Sequence, residues 1–215
     1  MSRLRNVAAR FAQVVGWRLV IWGGVALLLV LTFGDFWSGF LPRHRVVPSG
    51  PGRRFPPVAK ELEKTDWPHL RGPRYNGVSA EADLADAWPP EGPPVLWIRE
   101  IGSGYSGLIA VGSRVYTQSQ TLYRQFVLCM DAETGETIWE HHYAWPYDHG
   151  GMYPGPRATP TWNAGRVYFA GPRGVVGCLA ADDGRPIWSV NVVEKFGGRG
   201  IDFGYSCTPL VRDGK

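Results

Sequence analysis

The residues best equipped for chemistry sit in one stretch, "HHYAWPYDHGGMYPGPR" at 141–157. His142, Asp148 and His149 are ligand types that would suit zinc or a similar ion. A strand ending here sends His141 and His142 to opposite faces. His149 and the nearby tyrosines then read as loop or partner-binding residues, and no metal site is expected. The cysteines, Cys129, Cys178 and Cys207, have neither C-x-x-C spacing nor the density of a disulfide framework. Cys129 and Cys178 read as small buried residues in strands. A disulfide stays open for an exported domain, although an odd count leaves at least one thiol free. No G-x-S-x-G, P-loop or helix-opening G-x-G-x-x-G occurs. The glycine-rich "GSGYSG" at 102–107 is flanked by strand-like runs and reads as a turn between larger units. No catalytic, cofactor-binding or metal-ligating residue is assigned.

The elements that position these residues are short strands. The chain has 215 residues with 28 Gly, 18 Pro and 10 Trp, a composition of strands and turns rather than helices. Alternating apolar runs predict strands near 95–101, 107–111, 114–119, 125–130 and 136–142. A second set follows near 158–162, 166–171, 175–180 and 186–192, with another beginning near 207. These runs repeat: "CMDAETGETIW" at 129–139 returns as "CLAADDGRPIW" at 178–188. At an offset of 49, Cys129 matches Cys178, Gly135 matches Gly184, Ile138 matches Ile187 and Trp139 matches Trp188. Thr159-Pro160 matches Thr208-Pro209 at the same offset, whereas "SRVY" at 113–116 and the "GRVY" ending at Tyr168 are 52 apart. A four-strand repeat of this length is the signature of a β-propeller blade. Within the turn, Asp131 and, more weakly, Thr134 accept hydrogen bonds from backbone amides, and Gly135 supplies a positive φ. Trp139 then lies on an outer strand, where its indole can wedge between neighbouring sheets and bury about 200 Å².

Ahead of the repeats, residues 19–34, "LVIWGGVALLLVLTFG", carry no charge. Apolar character resumes after Asp35, so 19–41 is expected to be a transmembrane signal anchor. The basic head 1–18, with Arg3, Arg5, Arg10 and Arg18, is expected on the cytoplasmic side. No small-x-small cleavage site follows the span, and no cysteine precedes Cys129 to accept a lipid. Residues 42–66, rich in Pro, Gly and Arg, read as an extended linker, and 67–215 as the folded domain. The net charge of +4 comes with arginines crowded into the first 54 residues, and no basic stripe with interleaved aromatics follows, so nucleic acid is not an expected partner.

The repeat resembles the PQQ-like (pyrroloquinoline-quinone) β-propellers, a family of eight-bladed quinoprotein dehydrogenases and non-enzymatic relatives. Its tryptophan-docking motif is A-x-D-x-x-T-G-x-x-x-W. Asp131, Thr134, Gly135 and Trp139 match it, with Cys129 where alanine is usual; Gly184 and Trp188 match it in the second repeat, with Ala180 for Asp and Asp183 for Thr. Trp97, in "VLWIREIG", resembles the tryptophan of a fourth strand lacking its first three. "DWPHLRGPRYNGVS" at 66–79 and "GPRATPTW" at 155–162 resemble an envelope-associated subgroup. The resemblance implies an all-β partial propeller, two blades plus pieces of two more, as a fragment of a longer protein or an incomplete ring. It implies a membrane-anchored protein-binding or scaffold module like envelope assembly factors, anchored through 19–41 with the propeller on the extracytoplasmic side. The alternative is a PQQ- and calcium-dependent dehydrogenase of alcohols or sugars, although the chain lacks the adjacent cysteine pair of many such enzymes.

Overall fold

Apolar alternation interrupted by tight turns leaves the chain little choice but consecutive antiparallel hairpins. The computed structural model describes residues 44–46, 55, 57–59, 61–82, 84–148, 150 and 152–212. A first short strand is β1 (His44–Val46). The first repeat then supplies β2 (Ile109–Val111), β3 (Arg114–Gln120), β4 (Gln125–Asp131) and β5 (Thr137–Ala144). The second supplies β6 (Thr161–Asn163), β7 (Arg166–Ala170), β8 (Val175–Ala180) and β9 (Pro186–Asn191). Strand order is β1-β5-β4-β3-β2 in one sheet and β6-β7-β8-β9 in the other, so each repeat is a four-stranded antiparallel meander of the kind that makes a propeller blade.

Register explains the two sequence offsets. Arg114 pairs with Asp131, whereas Arg166 pairs with Ala180, so the second hairpin is three residues shorter. Both sheets nevertheless place a tyrosine, a cysteine and a tryptophan side by side. Tyr116 opposes Cys129, which opposes Trp139; Tyr168 opposes Cys178, which opposes Trp188. The main core lies between the sheets, where Tyr116, Val127 and Trp139 of the first meet Val167, Phe169 and Leu179 of the second. On the other face of the first sheet, Phe126, Leu128 and Met130 are covered by Trp97 and Ile101.

Several expectations change in the fold. The runs at 95–101 and from 207 form no strand among the described residues. The first lies on a sheet face, with Trp97 and Ile101 over Phe126, Leu128 and Met130. The second meets Thr159 and Thr161 through Thr208 Oγ1 and Pro209 O rather than through a backbone ladder. The fourth strand of the second repeat stops at Asn191. There the Asn191 side chain accepts from the amides of Val193 and Glu194 and starts a short helix, α1 (Val192–Phe196), which closes on Gly197 in the left-handed conformation.

Part of the stretch read as a linker lies on the folded unit. The β1 backbone pairs with β5, and Phe55, Val58 and Ala59 pack against the main core. The Asp66 carboxylate accepts from Gly112 N at 2.8 Å, and Trp67 exchanges both backbone hydrogen bonds with Ala110. Pro68 O then accepts from Trp162 N at 2.7 Å, so the lead-in segment straps the first strands of both meanders. The basic head 1–18 and the anchor expected at 19–41 lie outside the described residues. Among the described residues no helix is long and apolar enough to cross a membrane.

Candidate functional site

The repeated motif forms a seam between sheets, and its parts work across repeats rather than within one. Gly135 has φ 69° and lies against the Trp97 ring; Gly184 has φ 71° and lies against the Trp139 ring. A Cβ at Gly184 would stand 2.5 Å from a Trp139 ring carbon, and one at Gly135 2.6 Å from Trp97. Each turn glycine therefore serves two needs at once: a left-handed backbone and a flat surface for the preceding tryptophan. Asp131 holds the first turn, its Oδ1 accepting from Glu133 N, Thr134 N and Thr134 Oγ1 at 2.9–3.1 Å. Trp97 Nε1 donates to Ala132 O at 2.9 Å, and Trp139 Nε1 donates to Ala181 O at 3.2 Å, equivalent carbonyls one repeat apart. Trp188 occupies the same place in the second sheet but is 43% exposed.

Sequence reasoning missed half of this clasp. The Arg114 guanidinium donates to Ala181 O and Asp182 O at 3.0 and 2.9 Å, and Tyr116 OH reaches Ala181 O at 3.5 Å. The signal was present in the Arg-Val-Tyr shared by residues 114–116 and 166–168. A second clasp runs along the first strands: Gly107 N donates to Thr159 Oγ1 at 3.1 Å, and Thr159 N to Thr208 Oγ1 at 3.2 Å. Burial pushes the Cys129 thiol up to about 12, against the opposing pull of the Arg114 charge, and it raises Cys178 as well. All three cysteines are free; Cys129 and Cys178 are buried and Cys207 is exposed. A buried, protonated thiol is a packing group rather than a nucleophile.

The histidines of the insertion separate as strand alternation requires. His141 faces the second sheet, 6.0 Å from the Phe169 ring. His142 faces the other way, edge-on to Phe126, with Nε2 3.2 Å from the Glu140 carboxylate and Nδ1 3.4 Å from Arg124. Asp148 instead lines an open cleft of about 630 Å³ with Ser103, Gln120, Leu122, Pro146 and Pro154. His149 lies outside the described residues. Among the described residues no three His, Cys, Asp or Glu side chains converge on a common point.

What the insertion builds is a fixed, aromatic rim. The crossings at 101–107, 145–160 and 197–207 all leave the same end of the strands, together with the hairpins 121–124 and 171–174. Three buried glutamines hold the central crossing. Gln118 Nε2 donates to Ala158 O at 2.6 Å, Gln120 pairs both side-chain ends with the Tyr147 backbone, and Gln125 Nε2 donates to Trp145 O. Tyr147 OH donates to Asp202 O at 2.8 Å and ties this crossing to the next. Over that base stand Tyr105, Tyr153 and Phe203, each about half exposed, with Tyr153 held at φ 55°. The opposite rim is short polar turns bearing Glu133, Glu136, Asp182 and Asp183. No sequence pattern singles out the glutamines, since the second repeat has Ala170 where Gln118 stands in the first.

The comparisons with known proteins bear on this two-sheet arrangement. Residues 124–215 match the family model described as outer membrane protein assembly factor BamB. Residues 124–215 are a PQQ-like repeat segment. The segment takes in Asp131, Thr134, Gly135, Trp139, Gly184 and Trp188, while Trp97, Arg114 and Tyr116 lie ahead of it. Among solved structures the chain is similar to BamB from Moraxella catarrhalis, at 21% identity and a TM-score of 0.35. That match covers 45% of this chain and 26% of the other, so the chain spans about a quarter of that protein's length. No curated protein matches the chain.

Proposed function

We propose that this chain belongs to a membrane-tethered PQQ-like propeller that binds proteins at the cell envelope, with its blades on the extracytoplasmic side. The observation that carries the reading is the match of 124–215 to a family model described as an outer membrane protein assembly factor. The rim supports it. Propellers bind through the loops at one end of their blades, and here those loops are long, aromatic and held by buried glutamines, whereas the turns at the other end are short. The anchor is the apolar stretch 19–41, with the basic head 1–18 inside.

Photocrosslinking from two positions tests the reading. With the full chain in its native membranes, a crosslinker at Tyr153 on the loop rim is expected to give discrete protein adducts, and one at Glu133 on the turn rim none. Equal adducts at both positions contradict it. So does robust dye-linked alcohol oxidation on adding PQQ and calcium, which the dehydrogenase alternative requires. The exposed Cys207 checks the side of the membrane. A membrane-impermeant maleimide is expected to label it from outside intact cells, and labelling only after lysis would place the domain in the cytoplasm.

A further inference from the structure

We infer that the loop rim takes an extended, acidic segment of a partner protein, an inference that rests on the protein-binding reading above. The spacing of the exposed rings is the first ground. The Tyr105 and Tyr153 ring centroids are 5.8 Å apart, and those of Tyr153 and Phe203 are 6.4 Å apart. An extended chain places alternate side chains about 6.6 Å apart on one side, so apolar residues at positions i, i+2 and i+4 of a segment lie in step with this row.

Charge is the second ground. Two guanidinium groups bracket the buried Tyr147 ring beneath the row, Arg157 at 5.2 Å and Arg173 at 5.9 Å from its centroid. Arg157 donates to carbonyl oxygens only, Tyr153 O at 2.6 Å and Gly155 O at 3.4 Å. Arg173 is exposed and makes no hydrogen bond or ion pair among the described residues. Of the rim's own acids, Asp148 lines the cleft to one side, Glu194 accepts from Asn191 on α1, and Asp202 is beside Phe203. Neither Arg157 nor Arg173 is ion-paired among the described residues. Two cations without carboxylates, beside a row of aromatic rings, suit a segment that alternates apolar and acidic residues. The opposite rim carries Glu133, Glu136, Asp182 and Asp183, with Arg185 ion-paired to Asp183 at 3.8 Å, and so attracts the same segment less.

Preorganisation is the third ground. Tyr105 N donates to Pro156 O at 2.8 Å, and Tyr147 is bonded to both Gln120 and Asp202, so the three crossings carrying the rings are joined before any partner arrives. Little ordering entropy is then lost on binding.

The test is fluorescence anisotropy on the full chain in neutral detergent. The probes are a labelled ten-residue peptide alternating Glu with Leu or Val, its Lys-for-Glu counterpart, and phosphatidylglycerol vesicles scored by flotation. The acidic peptide is expected to bind and the basic one not. Arg173→Glu, on an exposed side chain with no hydrogen bond or ion pair among the described residues, is expected to weaken the acidic peptide at least about tenfold and to confer binding of the basic one. Phe203→Ala weakens the acidic peptide while leaving its salt dependence unchanged. Equal binding of both peptides, or no effect of Arg173→Glu, overturns the inference. Capture by anionic vesicles with no peptide binding overturns it in favour of a membrane surface. Crosslinked protein adducts at position 153 without acidic-peptide affinity would leave protein binding standing and remove only the acidic-segment reading.

Discussion

Trp139 and Trp188 hold the same place in two successive sheets, but one is fully buried and the other 43% exposed. Their local settings are nearly identical. Each stands opposite a cysteine and near a tyrosine ring, at 5.9 Å and 49° for Tyr116–Trp139 and 6.3 Å and 56° for Tyr168–Trp188. The difference lies beyond the sheet. Trp139 meets the Gly184 turn and the Ala181 carbonyl of the next repeat, and no such turn covers Trp188 among the described residues. The motif thus sets the pose of the ring, and a neighbouring glycine turn supplies its burial. A seam is a property of two repeats, so its strength is to be measured by changes on either side of it.

The largest expected effect is Trp139→Ala. Losing a fully buried indole with its hydrogen bond should cost about 3–5 kcal/mol in equilibrium denaturation. Gly184→Ala comes next, at about 1–3 kcal/mol, because the new methyl meets the Trp139 ring as well as an unfavourable φ. Gly165→Ala is its control. Gly165 has φ 74° with nothing within 4 Å of a Cβ, so only the backbone penalty of about 1 kcal/mol remains. Equal losses at Gly184 and Gly165 would mean that the ring contact contributes nothing.

Asp131→Ala should cost about 1 kcal/mol, since three donors lose one acceptor at a partly solvated turn. The second repeat shows how a turn manages without it. Gly184 N still donates to Ala180 O at 2.8 Å, as Gly135 N does to Asp131 O at 2.9 Å, while Asp182 Oδ1 accepts from Asp183 N and Asp183 Oδ1 from Arg185 N.

Much of this architecture was legible in the sequence. The spacing of Cys129/Cys178, Gly135/Gly184 and Trp139/Trp188 marked two equivalent units, and strand alternation separated His141 from His142. Other features were not legible, for physical reasons. Which tryptophan a glycine receives is a contact between repeats, invisible to a motif read within one. Residues 95–101 have strand composition, yet Trp97 and Ile101 cover the face of the first sheet instead of pairing with an edge. The rim was the least legible part: Gln118, Gln120 and Gln125 look like polar interruptions of a strand until their side chains are seen to hold the backbone of Trp145, Tyr147 and Ala158.

The matched cysteines sharpen the comparison through pH. Burial raises the Cys129 thiol from 9.0 to about 12. Its contribution to stability is therefore complete below the ordinary thiol value and is lost as pH rises from about 9 toward 12. Denaturation midpoints between pH 8 and 11 should fall in the parent protein and fall less in Cys129→Ala; identical slopes would show that the thiol is not shielded. Trp188→Ala should cost well under the loss at Trp139, about 1–2 kcal/mol, because a ring that is 43% exposed has less burial to lose.

The central claim is that equivalent tryptophans differ because a neighbouring turn covers one and not the other. Hydrogen exchange of the indole N–H groups, followed by NMR and assigned with single tryptophan variants, measures this directly. The indole of Trp139 should exchange slowest, and that of Trp97, bonded to Ala132 O but partly exposed, should be intermediate. The indole of Trp188, 43% exposed and without a hydrogen bond among the described residues, should exchange fastest of the three. Protection of Trp188 equal to that of Trp139, or free exchange at Trp139, would contradict the account.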